Sequence, residues 1–463
     1  MRISQNRPGL AAVAILAAAG LALSGCAKDS GGSGNNSAGG TMPGKGKAEC
    51  ADLTQLEQYG DLSGKTVSVY TSILPPEQQA QENSYKLFTT CTGAKVKYEG
   101  SDQFETQLVV RVKAGNAPDI AYIPQPGLLK TVVSSGQVVE APQAVADNAD
   151  KWFGEDWKNY GTVDGKFYAA PLGANVKSFV WYSPKMFKQN GWEIPQTWDD
   201  MLALSDKIAA TGIKPWCAGI ESGEATGWPA TDWLEDAILR EKGADYYDQW
   251  VNHEIPFNDP GVAQSLDLVG GILKNDKYVN GGFGDVNSIA TTAFQDGGLP
   301  ILKGQCALHR QASFYAAQWP EGTDVSENGD VFAFYLPPTN TDNGKPVLGG
   351  GEFVAAFSDR PEVQAFQTYL STDVWANEKA KATPGGGWVS ANKGLDINNL
   401  TSPIDKLSAQ TLQDPEAVFR FDGSDQMPSA VGAGSFWKEM TSWITGESTA
   451  DALKNIEDSW PAS

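Results

Sequence analysis

Cysteine, histidine, carboxylate and tryptophan side chains set out what chemistry this chain can do, and their spacing excludes most of it. Cys26 follows Leu23-Ser24-Gly25, a run whose small residues suit the narrow cleft of a processing peptidase. The other four cysteines, Cys50, Cys91, Cys217 and Cys306, show no CxxC spacing, and only His253 and His309 could join them as ligands. Zinc is therefore a poor alternative to two disulfides, and no metal or cofactor is expected. The same two histidines are all that Ser-His-Asp catalysis could use, and there is no GxSxG elbow. A GxxxxGK[ST] loop for nucleotide phosphates is also missing. Acid pairs are plentiful, which leaves hydrolysis of a glycosidic bond open. The 15 tryptophans are many for 463 residues. Trp is often core, but an exposed indole is also a platform for stacking on a sugar ring.

The N-terminus sets the compartment. Arg2 and Arg7 flank the start of a charge-free apolar stretch, Gly9 to Leu23, long enough for a signal-peptide core and short for a membrane span. With Cys26 at its end the segment resembles a bacterial lipobox, in which the thiol takes a diacylglycerol and becomes the new N-terminus. An ordinary secretory signal that happens to contain Cys26 is the alternative. Residues 1–26 are expected to be a lipoprotein signal peptide. Residues 27–47, rich in Gly, Ser and Asn, are expected to be a flexible tether, because they lack the apolar surface needed to offset ordering entropy. No later segment has a run of about 20 apolar residues. The expected location is extracytoplasmic, lipid-anchored to the cell membrane, and an even cysteine count there favours disulfides. The formal charge is −21; without Arg2 and Arg7, 33 basic residues face 56 acidic ones. Such a surface repels nucleic acid and anionic lipid.

The remaining chain, over 400 residues, exceeds one hydrophobic core, so two lobes are expected. Thr66 to Tyr70 and Lys95 to Glu99 alternate like strands, Pro118 to Ile123 reads as a short buried strand, and helices are expected over Glu77 to Thr90 and Phe104 to Ala114. Alternating strands and helices imply parallel βαβ units, whose ligands sit beyond the carboxyl ends of the strands. The pattern recurs later. Tyr168 to Tyr182 is strand-rich and Pro184 to Asn190 helical. Trp198 to Ala210 is a helix with Thr197 as its N-cap, Pro215 to Ile220 a strand, and Pro229 to Glu241 a helix. A helix near Ser288 to Asp296 precedes a strand over Gln305 to Arg310. Three disulfide pairings are possible. Cys50–Cys91 with Cys217–Cys306 is preferred, because each pair then stays within one proposed lobe and leaves the lobes free to move.

Together these segments resemble the large extracytoplasmic solute-binding family of carbohydrate ABC transporters, to which maltose-binding protein belongs. The landmarks are Asn116-Ala117-Pro118-Asp119-Ile120, Ala170 to Gly173 leading into Trp181 to Pro184, Gly304 to Arg310, and Gly349-Gly350-Gly351-Glu352-Phe353-Val354. Ala225 to Asp236 and Cys306 to Phe314 resemble the α-glucoside-binding branch. The resemblance implies an α/β, two-lobed periplasmic-binding-protein-like fold of type II, hinged, with the ligand cleft between lobes. Lobe 1 would hold 48–171 and 345–390, and lobe 2 172–344 and 391–463, with hinges near Pro171, Pro346 and Pro384-Gly385. It also implies a monomer that captures an α-glucoside or related oligosaccharide and hands it to the transmembrane subunits of an ABC permease, without catalysis. A secreted glycoside hydrolase and an adhesive lipoprotein are the alternatives.

A sugar offers hydroxyls and apolar C–H faces, so its site needs carboxylates, amides, Arg and aromatic planes. Trp228, in a Gly-containing loop, is the first stacking candidate, with a core Trp at a helix start as the alternative. Asp232, four residues on, could face the same cleft or be a solvated first-turn acid. Glu221 and Arg310 occupy positions resembling hydroxyl contacts of the family; a surface charge and a structural ion pair are their plainer readings. Trp388 and Trp437 are further stacking candidates that core packing could equally claim. Ser101, Asp102 and Gln125 end strands of the first lobe, and Glu352 is a weaker candidate of the same kind.

Overall fold

The computed structural model describes residues 39–339 and 343–461. The leader, Cys26 and most of the expected tether lie outside the described residues. The packed body begins earlier than expected, however. Met42, assigned to the tether, is buried in the first core. Gly44 lies against the Cys50–Cys91 bridge, and its N–H bonds to the Cys91 carbonyl at 2.7 Å. One large apolar side chain and one glycine able to approach a disulfide are enough to dock this stretch.

Two sheets organise the chain. The first has five strands in the order Lys95–Gly100, Thr66–Thr71, Ile120–Ile123, Phe353–Ala356 and Ala169–Pro171. The first three run parallel, and Phe353–Ala356 is antiparallel to both its neighbours. Successive residues serve opposite faces. Val67, Val69, Ile120, Tyr122 and Val354 join one core, while Tyr70, Ala121, Ile123 and Phe353 join the other. The second sheet has the order Phe332–Tyr335, Phe179–Tyr182, Cys306–Arg310 and Lys214–Trp216, and sits in the largest core with Trp181, Trp216 and Trp250.

A third, three-stranded sheet of Ala417–Phe421, Lys345–Gly350 and Asn175–Val176 joins them. Asn175–Val176 lies in the chain between a first-sheet strand and a second-sheet strand. Lys345–Gly350 carries the chain back, pairing with Val176 at Gly349. Pro171 ends the strand before the first crossing, and Pro346 lies within the return strand.

Both disulfides form in the preferred pairing, with Cα separations of 5.8 and 5.9 Å. Three expected elements are shorter than read. The strand at Pro215 to Ile220 is only Lys214–Trp216; beyond it the backbone N–H groups of Ala218 and Ile220 go to Asn280 and Ile289 rather than to a ladder. The helix at Glu77 to Thr90 breaks into Glu77–Asn83 and Lys86–Thr92. Ser84 at the break bonds back to Gln81 and accepts the Trp375 indole N–H, side-chain bonding that competes with the helix ladder. The helix near Ser288 stops at Thr291, because Ala293 bridges to Glu221. Trp198–Ala209 has Thr197 at its N-cap as expected, and Asp200 completes a capping box with it.

Candidate functional site

The loops that leave the carboxyl ends of strands in both sheets meet around a cavity of about 680 Å³. From the first sheet come Ser72 to Leu74 after Thr66–Thr71, Ser101 and Asp102 after Lys95–Gly100, and Gln125 after Ile120–Ile123. From the second come Glu221, Trp228 and Phe314, and the crossover sheet contributes Lys177, Asp422 and Asp425. Both sheets use the end that parallel strands leave open to ligands.

Trp228 forms the aromatic wall. It opens the helix Trp228–Lys242, is half-buried, and is buttressed by Phe294 at 5.2 Å and Phe314 at 6.0 Å between ring centroids. Phe294 reaches the site because the Glu221–Ala293 bridge replaces the expected helix. Glu221 lines the cavity, but one of its carboxylate oxygens already accepts the Gly223 N–H at 2.8 Å. Trp437 also lines the cavity while only 4% exposed, so it serves packing and wall together.

A second wall is built from Glu77, Glu352, Lys379 and Trp388. Trp388 packs edge-on against Trp375 at 5.6 Å. Gly173 gives it room: a Cβ there would stand 3.0 Å from both the Trp388 Nε1 and a Glu352 oxygen. Burial and then the neighbouring Glu352 push Glu77 up to about 8, and burial pulls Lys379 down to about 8. Glu77 accepts a 2.9 Å bond from Gln318, which belongs to the chain following the second sheet's Cys306–Arg310 strand. Gln125 donates to Glu105 at 3.1 Å, whose carboxyl is raised by burial.

Two expected ligand contacts are elsewhere. Asp232 and Arg310 do not line the cavity; they are 0% and 3% exposed, in an ion network behind its wall. Arg310 donates to Asp232 at 3.1 Å and to Asp236 at 2.5 Å, and Arg240 also pairs with Asp236. The reason is helical periodicity: positions 232 and 236, one turn apart, share a face of the Trp228–Lys242 helix, and that helix is buried along most of its length. Arg240 and Arg310 outweigh burial and hold Asp236 below the usual carboxylate range.

The sequence reading missed the residue that joins network to cavity. Lys177 donates to Asp232 at 3.0 Å and to Asp422, and its ammonium lies 5.4 Å from the centre of the Trp228 ring. Burial lowers its pKa, but Asp232, Asp422, Asp425 and Glu235 outweigh this and raise it well above normal. Asp232, Glu235 and Asp422 could by proximity hold a metal ion. Here the ammonium of Lys177 already bridges two of them, so the chain supplies its own cation. The signal available in the sequence was weak: a lysine inside an otherwise apolar strand region, Val176 to Tyr182.

A cavity between two α/β layers, walled by aromatic faces and by carboxyls that can hydrogen-bond hydroxyls, has the chemistry to hold a polar solute. The chain belongs to the bacterial extracellular solute-binding protein family, whose model matches residues 71–395. It is 39% identical over 405 residues to the osmoprotective compounds-binding protein GgtB of Synechocystis, covering 87% of this chain and 94% of that protein. It is 37% identical over 427 residues to the alpha-glucosides-binding periplasmic protein AglE of Rhizobium meliloti, covering 89% and 90%. The fold matches the crystal structure of the bacterial solute receptor AcbH with a TM-score of 0.72 at 19% identity, over 85% of this chain and 98% of that one. Membership of this family places the protein outside the cytoplasm.

Proposed function

We propose that this chain is the sugar-binding component of an ABC importer, capturing an α-glucoside or related oligosaccharide and delivering it to the permease without chemical change. The observation that carries the reading is the cavity itself, where Trp228 and the carboxyls of Glu77, Glu352 and Asp425 line one space reached by loops of both sheets. The two relatives, one described as binding α-glucosides and the other osmoprotective compounds, support a small polyhydroxylated solute.

In this reading lobe 1 comprises 48–171 and 345–390, lobe 2 comprises 172–344 and 391–463, and the crossings near Pro171, Pro346 and Pro384-Gly385 act as hinges. Ligand bridges the lobes only when they are closed, so binding shifts the population toward the form that docks on the permease. The protein works as a monomer, tethered through a lipid on Cys26. Calorimetric titration with maltose, trehalose and sucrose, followed by analysis of the recovered sugar, tests the proposal. Saturable binding of intact sugar supports it; release of monosaccharide would make it a hydrolase, and no binding would favour an adhesive role.

A further inference from the structure

We propose that Lys177 and Asp425 form a donor–acceptor pair that holds two adjacent hydroxyls of the sugar ring stacked on Trp228, an assignment that rests on the sugar-binding reading above. Both residues line the cavity, at 7% and 8% exposure. One side chain anchors them both. Asp422 takes the Lys177 ammonium on Oδ2 and accepts the Asp425 backbone N–H on Oδ1 at 2.8 Å. Lys177 has three N–H donors. Asp232 and Asp422 occupy two, which leaves one at the cavity wall beside the indole. The Asp425 carboxyl makes no hydrogen bond to any described residue. A buried carboxyl without a hydrogen-bond partner carries a desolvation cost, and Asp425 lines the cavity.

A pyranose ring with neighbouring hydroxyls answers both vacancies. One hydroxyl oxygen accepts from Lys177, the next hydroxyl bonds with Asp425, and the ring's C–H face lies on Trp228. Asp232 never touches the ligand in this scheme; it is a positioning residue that aims Lys177.

The test uses the full-length mature protein and whichever of maltose, trehalose and sucrose binds best. Lys177→Met should weaken binding at least about ten-fold, as loss of a charge-assisted hydrogen bond does, and Asp425→Asn, which replaces a carboxyl that burial holds toward its neutral form, should weaken it at least about three-fold. The double variant should lose less than the product of the two. Among monodeoxy analogues of the same sugar, those lacking the gripped hydroxyls should bind poorly to wild type and show little further loss with Asp425→Asn. Folded single variants that bind within two-fold of wild type would overturn the pair while leaving the sugar reading intact. If Lys177→Met does not fold, Asp425→Asn and the deoxy series decide alone: no change in either overturns it. Wild-type protein that binds none of the sugars overturns the underlying reading, and the pair with it.

Discussion

Gly227 packs its backbone directly against the carbonyl of Trp437: a Cβ at 227 would overlap that oxygen. Gly227 also sits at φ +113°, a conformation L-residues avoid. The contact joins the start of the Trp228 helix to Trp437–Ile444, so two tryptophans of the cavity share one spacing constraint. Gly227→Ala should therefore destabilise the fold by about 2–4 kcal/mol through strain and overlap combined, and weaken ligand binding beyond what the added methyl alone explains. Thermal melts and titration of the same sample check both; a variant indistinguishable from wild type would show that the spacing is relaxed at no cost.

Trp228 is half-buried, and its buttresses, Phe294 and Phe314, also pack on each other, 6.2 Å between ring centroids. Trp228→Ala should leave the melting temperature nearly unchanged and weaken sugar binding by about 1–3 kcal/mol. Trp228→Phe should recover part of that loss. Calorimetry on the three proteins measures it, and equal affinities would remove Trp228 from the site.

Asp405 supports the turn that presents Trp388, accepting the Gly387 N–H at 2.7 Å. Burial pushes its carboxyl up to about 7, whereas an unfolded chain titrates near 4. The folded state thus keeps a proton that the unfolded state releases. The group's stabilising contribution is full below about pH 4 and is lost as the pH rises to about 7. Asp405→Asn does not titrate and still offers Gly387 an oxygen. Its stability relative to wild type should rise between about pH 4 and 7, by up to about 4 kcal/mol, and then level off. Denaturation curves at several pH values give the difference directly. A gap that stays constant with pH would mean that Asp405 ionises as it does in the unfolded chain.

The strands and their ligand-facing ends were legible because they rest on local signals. Period-two alternation over Thr66 to Tyr70 and Lys95 to Glu99 marks the strands Thr66–Thr71 and Lys95–Gly100, and the loops after them line the cavity. The N-cap at Thr197 is equally local. The misreadings arose where distant partners decide. Asp232 and Asp236 were placed on the right helix, but which of its faces meets solvent depends on Arg310, 78 and 74 residues away. Lys177 is held by residues 55 and 245 positions along the chain, and its apolar neighbours in sequence do not say which carboxylates it meets. Phe294 was hidden inside an expected helix, since a single long-range bridge to Glu221 sets its backbone.

Arg310 provides the sharpest separation of support from contact. A ligand contact and a structural ion pair are its two readings, and the structure has the second: Asp232 and Asp236 hold it and it does not line the cavity. Removing one member of a buried ion network leaves its partners short of one counter-ion, which costs up to about 3–5 kcal/mol. Arg310→Met fits the space but supplies no charge, so it should destabilise by that amount. Asp236 keeps Arg240 and Asp232 keeps Lys177, and the protein that remains folded should bind sugar within about ten-fold of wild type, a shift of 1.4 kcal/mol or less. A direct hydroxyl contact would give the reverse, a small change in unfolding free energy and a large loss of affinity. Measuring both on Arg310→Met at a temperature well below its melt distinguishes the two roles.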